Sequence, residues 1–354
     1  MTLGNAVKCV AYFAVLLGLT VAGDRAIAHR LYKDPGRLVP AYRSFNEPSV
    51  GVKLHQLETT KAKIDTLVLG NSRTYAGVDP PVFDRRLAQL GVRASSFNVA
   101  QPTIDTRFWP PFFEQFYDRT PPRNVLLGIM PRDIDVRDPV AVQQDDAFLA
   151  SPGFTNRKRT QVWKDAEEAL ADLFTMHGRG NEIRHARPKG LLDGVKLDRP
   201  GFRPRGDRGW AVFDPSLVLP KPELAANAKR LAHRHGKIHL EVGAAQIAAL
   251  VRLDRDVRAK GGCLTLFTLP ILYDREQFGT IEVQREFEAE LRRFVRAHPT
   301  VGLVDVGPRV QPGYGVDDFA DGDHMNPAGA TKFSDQLATA VAPRLRSGTC
   351  GGTS

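Results

Sequence analysis

The chain has 354 residues, of which 42% are hydrophobic and 25% charged, ordinary values for a folded globular protein that speak against a disordered one. A net charge of +9 and a pI near 9.6 suit an anionic neighbour, but zinc-finger spacing and a basic-aromatic RNA-recognition motif are both missing, so no nucleic-acid partner is expected. The three cysteines Cys9, Cys263 and Cys350 are too few for a disulfide framework. A Cys263–Cys350 bridge is compatible with an oxidising compartment, although nothing in the spacing demands it.

The first recognisable element is the apolar run Cys9 to Gly23, preceded by Lys8. At about fifteen residues it is short of the roughly twenty that a spanning helix needs, and near the upper limit for the core of a signal peptide. Ala26-Ile27-Ala28 offers a small-residue cleavage site, yet Asp24 and Arg25 stand where a cleavage region is usually uncharged, which favours an uncleaved anchor over residues 1–28. A buried core helix is the remaining alternative. Either targeted fate puts the rest of the chain outside the cytoplasm: a periplasmic domain on a single-pass inner-membrane anchor, or a secreted protein if the segment is removed.

Residues 29–60 are mixed and Pro-containing, a lead-in to the domain expected over 61–346. Ile64 to Gly70 is a short β-branched run ending in glycine, the pattern of a buried parallel strand. Asp79-Pro80 supplies an N-cap and a first-turn proline for an amphipathic helix that Gly91 stops. Strand Ser95–Ala100, an aromatic-rich helix Arg107–Tyr117 and strand Asn124–Ile129 continue the alternation. The rhythm fades over about 136–220, rich in Arg, Gly and Pro, which reads as an irregular or helical insertion with a solvated face; a groove for an anionic glycan is the alternative. It returns with a helix near Gly243–Lys260, strand Cys263–Leu269, helix Glu282–His298, strand Val301–Val306 and helix Pro327–Arg346, before a flexible tail at 347–354. Strands alternating with helices predict an α/β protein with a doubly wound parallel sheet.

In such a sheet the ligand crevice lies at the carboxyl ends of the strands. Gly70-Asn71-Ser72-Arg73 follows the first strand directly, although a serine in that place alone more often caps a helix. The phrase Asp321-Gly322-Asp323-His324-Met325-Asn326-Pro327 follows the last strand, with Asn326 and Pro327 as cap and first turn of the final helix. His324 then stands just outside that helix, on the same sheet edge as Ser72. A serine hydroxyl needs a base to take its proton, and that base needs a carboxylate to orient it, so Ser72, His324 and Asp321 are the candidate catalytic residues. His233, His235 and His239 sit among lysines and arginines without an acidic or thiol partner, so no metal is expected there, and no cofactor motif is present. Phe108, Trp109, Phe112, Phe113, Phe116 and Tyr117 read as core and rim packing, with sugar stacking as the alternative.

The blocks Leu67-Val68-Leu69-Gly70-Asn71-Ser72-Arg73 and Asp321-x-x-His324 resemble those of the SGNH/GDSL hydrolase superfamily. Within it, Asp65 to Pro80 and the DxxHxNxxG phrase are similar to the membrane-anchored branch of teichoic-acid D-alanyl transfer and alginate O-acetylation proteins. The resemblance implies a flavodoxin-like three-layer sandwich with Ser72, Asp321 and His324 as the triad. It also implies an oxyanion hole, from which this sequence departs. The second-strand block is Asn98-Val99-Ala100-Gln101, with alanine where the superfamily has glycine, and the third, Gly128 to Asp133, has no asparagine. The amides of Ser72 and Ala100, with Asn98 or Arg132 nearby, are the candidate donors.

The function expected from these readings is a membrane-tethered extracytoplasmic O-acyltransferase or O-acylesterase acting on a cell-envelope or secreted polysaccharide. Its partners would be an acyl donor, a hydroxyl acceptor and a membrane protein that hands over the acyl group. The alternative is a catalytically idle SGNH fold acting as a binding or assembly component of a polysaccharide machine, which the missing asparagine favours.

Overall fold

The computed structural model describes residues 3–31, 62–102, 104, 106–117, 122–136, 202–206, 208–213, 215–235, 240–272, 281–305, 313–348 and 350, with a few more between 53 and 60. The chain divides into two compact units. One comprises Met1–His55 and Ala150–Pro200, the other Gln56–Leu149 and Gly201–Ser354. Of the first, the described part is essentially one helix, α1 (Leu3–Leu31). Its segment Lys8–Ala26 is 19 residues long and apolar enough to cross a membrane. At ~1.5 Å per residue it reaches roughly 28 Å, close to a bilayer's hydrocarbon thickness. Val10, Phe13, Leu16 and Leu19 are exposed along it.

The second unit is built on five strands: β1 (Thr66–Leu69), β2 (Ser96–Asn98), β3 (Asn124–Gly128), β6 (Cys263–Phe267) and β7 (Gly302–Val304). They pair in the order β2-β1-β3-β6-β7, and every pairing is parallel. This is the doubly wound arrangement that the alternation of elements predicts. The chain leaves β1 toward β2 on one side and returns to place β3 on the other, so the crevice opens at the carboxyl end of β1.

Period-2 alternation divides the strand side chains between two helical layers. Val68, Leu126 and Phe267 join a core with Phe83 and Leu87 of α3 (Pro80–Gln89) and with Phe333, Leu337 and Val341 of α9 (Pro327–Ser347). Leu67 and Leu69 alternate with Val68 and are also fully buried, the mark of a sheet covered on both faces. On the other helical pairing, α4 (Trp109–Tyr117) packs with α7 (Ala244–Ala259), and α8 (Ile281–Ala297) packs with β7. Phe108, just ahead of α4, and Trp109 and Phe112 within it are core: they are buried and pack ring against ring at 4.7–5.6 Å. Helix caps fall where the sequence puts them. Asp79 accepts from the Val82 amide, Asn326 accepts from the Gly329 amide, and a proline opens each of these helices.

Three features differ from the expectations. The insertion predicted as irregular or helical over about 136–220 contains a regular hairpin, β4 (Phe202–Pro204) and β5 (Ala211–Phe213), antiparallel with Phe202 opposite Phe213; residues 137–201 lie outside the described ones. A helix, α6 (Lys221–His235), follows directly, where only the later helix was expected. The tail expected to be flexible is fixed at Cys350, which forms a disulfide with Cys263 at the start of β6, Cα atoms 5.0 Å apart.

Candidate active site

The turn out of β1 is shaped by what it packs against. Gly70 has φ +146°, and a Cβ there would lie 2.2 Å from the Thr74 hydroxyl, so only glycine allows the chain to double back so tightly. The next six residues, Ser72–Gly77, form the short helix α2, with Asn71 as its cap: the Asn71 Oδ1 accepts from the Arg73 amide at 3.0 Å. Ser72 is thus the first helical residue. Its own amide has no intrahelical acceptor and finds none among the described residues.

The loop before α9 brings the other half. Asp321 folds over the residues that follow it, its Oδ1 accepting the amides of Asp323 at 2.7 Å and His324 at 2.6 Å. The same carboxylate meets His324 Nδ1 at 2.9 Å through Oδ2 and 3.1 Å through Oδ1. The other ring nitrogen, Nε2, lies 2.9 Å from Ser72 Oγ, across 252 positions of sequence. Burial by itself would raise the Asp321 carboxyl, but the hydrogen bond and charge of His324 and the two backbone amides outweigh it and hold the group below the usual carboxylate range. An ionised carboxylate only accepts, so Nδ1 carries the proton and Nε2 is left to take one from the Ser72 hydroxyl. The imidazole is largely covered, with 14% of its side chain exposed.

A second ion pair binds the same two loops together. Arg73 Nε donates to Asp323 Oδ1 at 3.0 Å, and its Nη2 meets Oδ2 at 2.7 Å, a fork-on-carboxylate contact between side chains that are 5% and 17% exposed. Arg73 Nη1 also donates to the Met130 sulfur at 2.9 Å. Behind the Ser72 loop, Asn71 Nδ2 donates to both oxygens of Asp133, at 2.8 and 3.0 Å, and the Met130 amide donates to the same carboxylate at 3.1 Å. Asp133 is buried, and burial pushes its carboxyl up to about 7 against the Asn71 hydrogen bond, the Arg73 charge, the Met130 amide and the Arg132 charge.

Two of the expected oxyanion donors are committed elsewhere. The Asn98 amide group donates to the carbonyls of Thr74 at 3.0 Å, Tyr75 at 3.4 Å and Val78 at 2.8 Å, satisfying the end of α2, while its Oδ1 accepts the Ala100 amide at 3.0 Å. Asn98 is therefore a buried strut under α2. Arg132 lies on the one-turn helix α5 (Pro131–Ile134), next to Asp133.

The hairpin β4–β5 covers the site, a role nothing in the sequence reading assigned to it. Its turn is pinned to the edge of the sheet: the Asn98 amide donates to the Arg208 carbonyl at 2.9 Å, the Arg208 guanidinium reaches Asp84 and the Ser96 carbonyl, and Trp210 Nε1 donates to the Ala76 carbonyl. Gly209, at φ +76°, allows this docking, since a Cβ would fall 2.1 Å from the Asn98 carbonyl oxygen. The open end of the hairpin then sets Phe202 and Phe213 against His324, each ring centroid 5.2 Å from the imidazole. The alternation of Phe202, Pro204, Ala211 and Phe213 about a Gly-containing turn was the available signal.

No protein-family model matches the sequence, and no curated protein matches it. Among solved structures the chain is similar to the lipase/acylhydrolase from Enterococcus faecalis, at 12% identity and a TM-score of 0.37, covering 79% of this chain and 97% of that one.

Proposed function

We propose that the protein is a serine O-acyltransferase or O-acylesterase, tethered to a membrane by its N-terminal helix and acting outside the cytoplasm on hydroxyls of an envelope or secreted polysaccharide. The observation that carries the reading is the continuous chain Ser72 Oγ, His324 Nε2, His324 Nδ1, Asp321, with 2.9 Å at each ring nitrogen. Ser72 Oγ attacks the acyl carbonyl as its proton passes to Nε2. The tetrahedral intermediate collapses, the leaving oxygen takes the proton, and the acyl group stays on Ser72. A sugar hydroxyl or a water then repeats the sequence in reverse, and that choice alone divides transfer from hydrolysis. With Asn98 and Ala100 committed elsewhere, the Ser72 amide at the start of α2, with Arg132 nearby, supplies the oxyanion donors in this reading. The bilayer-length helix α1 supports tethering, and the Cys263–Cys350 disulfide supports an oxidising compartment. An acceptor that is anionic fits the net charge of +9.

Commitment of Asn98 and Ala100 to structural hydrogen bonds favours a second reading, a catalytically idle fold that binds polysaccharide. A fluorophosphonate probe separates the two. Labelling of the wild type that disappears in Ser72→Ala is the result expected of the enzyme, whereas a well-folded wild type that takes no label supports the binding protein. Acetyl-ester turnover with and without a glycan acceptor then divides esterase from transferase.

A further inference from the structure

The imidazole of His324 is fixed along its edge by Asp321 at Nδ1 and Ser72 at Nε2, and its faces are left to other groups. One face is taken by Phe213, whose ring lies 15° from parallel with centroids 5.2 Å apart. Phe202 meets the imidazole at 74° and Phe213 at 81°, and is backed in turn by Tyr75 at 5.3 Å. The hairpin is also held at its turn, away from the aromatic pair, by Arg208, Gly209 and Trp210. Phe213 is thus presented to His324 by a hairpin seated at its turn and by the packing of Phe202 on Tyr75, Ala100 and Ala211.

We infer that Phe213 is a positioning residue for proton transfer at this site: its ring fixes the plane of the imidazole, and its electron-rich face stabilises the imidazolium formed when Ser72 gives up its proton. The inference rests on the acyl-transfer reading above. The physical ground is that an aromatic face attracts a cation within about 6 Å of its centroid, while doing little for the neutral ring. The stabilisation therefore falls on the state after proton transfer, the one that lowers the barrier. A leucine would cover the same surface without the quadrupole, so covering and electrostatics are separable.

The test uses diisopropyl fluorophosphate on the full chain in detergent. Its reaction forms the Ser72 Oγ–P bond, breaks P–F with loss of fluoride, and sends the hydroxyl proton to His324 Nε2. The inactivation rate is followed against pH for the wild type, Phe213→Leu, Phe213→Trp and Phe213→pentafluorophenylalanine, the last keeping shape while reversing the ring's charge distribution. In the leucine and pentafluoro variants the midpoint of the profile is expected to move down by about half a pH unit, and the plateau rate to fall about threefold or more. Phe213→Trp restores both. Wild-type midpoints in the leucine and pentafluoro variants overturn the inference, as does a leucine shift that the pentafluoro ring reverses. A change confined to the KM for a glycan acceptor, with inactivation untouched, assigns Phe213 to substrate stacking and also overturns it. Failure of the folded wild type to react strikes the acyl-transfer reading itself, and is distinguishable because no variant comparison is needed to see it.

Discussion

Asp321 acts on Ser72 only through the imidazole between them, so its substitution is the most specific probe of the proposed roles. Asp321→Asn keeps the size of the side chain but lets it donate toward Nδ1, which favours the tautomer with the proton on Nε2, where it must not be. A fall of about 10⁴ in turnover is expected, with KM little changed, and steady-state kinetics on an acetyl ester checks it. The pair Arg73–Asp323 calls for a different measurement. Asp323→Asn takes the forked carboxylate from a guanidinium that is 5% exposed; breaking a buried ion pair costs about 3–5 kcal/mol, and less here because Asp323 is partly open to water and Asp133 still faces Arg73. Urea unfolding should show that loss as a lower midpoint at an unchanged slope. Asp133 supplies a pH dependence. Its folded carboxyl, raised to about 7 from an ordinary 3.8, binds a proton that the unfolded chain has already released, so between about pH 4 and 7 stability falls as pH rises, and above 7 the effect is complete. Asp133→Asn should flatten the decline in urea midpoint across that interval; an equally steep decline in the variant would remove Asp133 as its source.

At the level of elements, the parts read most readily from sequence are those whose hydrophobic period matches their burial. Strand β1 and helices α3 and α9 lie within two residues of their expected bounds because β-branched runs, the caps Asp79 and Asn326 and the first-turn prolines all agree. The Ser72 loop and the Asp321–His324 loop were legible for a related reason, since each sits next to such an element. Pairings across long separations were not. Nothing local in Arg73 or Asp323 marks them as partners 250 positions apart, and Asn98 reads as a donor until the carbonyls at the end of α2 are in place to claim it. The hairpin escaped because its strands are three residues each, set in a stretch where Arg, Gly and Pro dilute the alternation. Gly209 is where this element is most vulnerable. Gly209→Ala forces a side chain against the Asn98 carbonyl at a left-handed backbone position, a strain of about 1–3 kcal/mol that only an undocked hairpin relieves. Faster tryptic cleavage after Arg205 or Arg208 in the folded variant is the expected sign.

Across the whole molecule, the Cys263–Cys350 bridge closes a loop spanning 87 positions that contains β6, α8, β7 and α9. Restricting the unfolded chain over such a length is worth about 2–4 kcal/mol, so Cys350→Ser, or reduction of the wild type, should lower the thermal midpoint by several degrees. The apolar helix α1 gives the other molecular-scale expectation: the full chain should stay in the membrane pellet through alkaline carbonate washing, and recovery of a soluble form beginning after Ala28 would identify the segment as a cleaved signal instead. The 252-position gap between the Ser72 alcohol and its imidazole also sets a timetable. Ser72 is synthesised 252 positions ahead of His324, so under the proposed acyl-transfer reading its hydroxyl has no base to activate it until the loop before the C-terminal helix has docked.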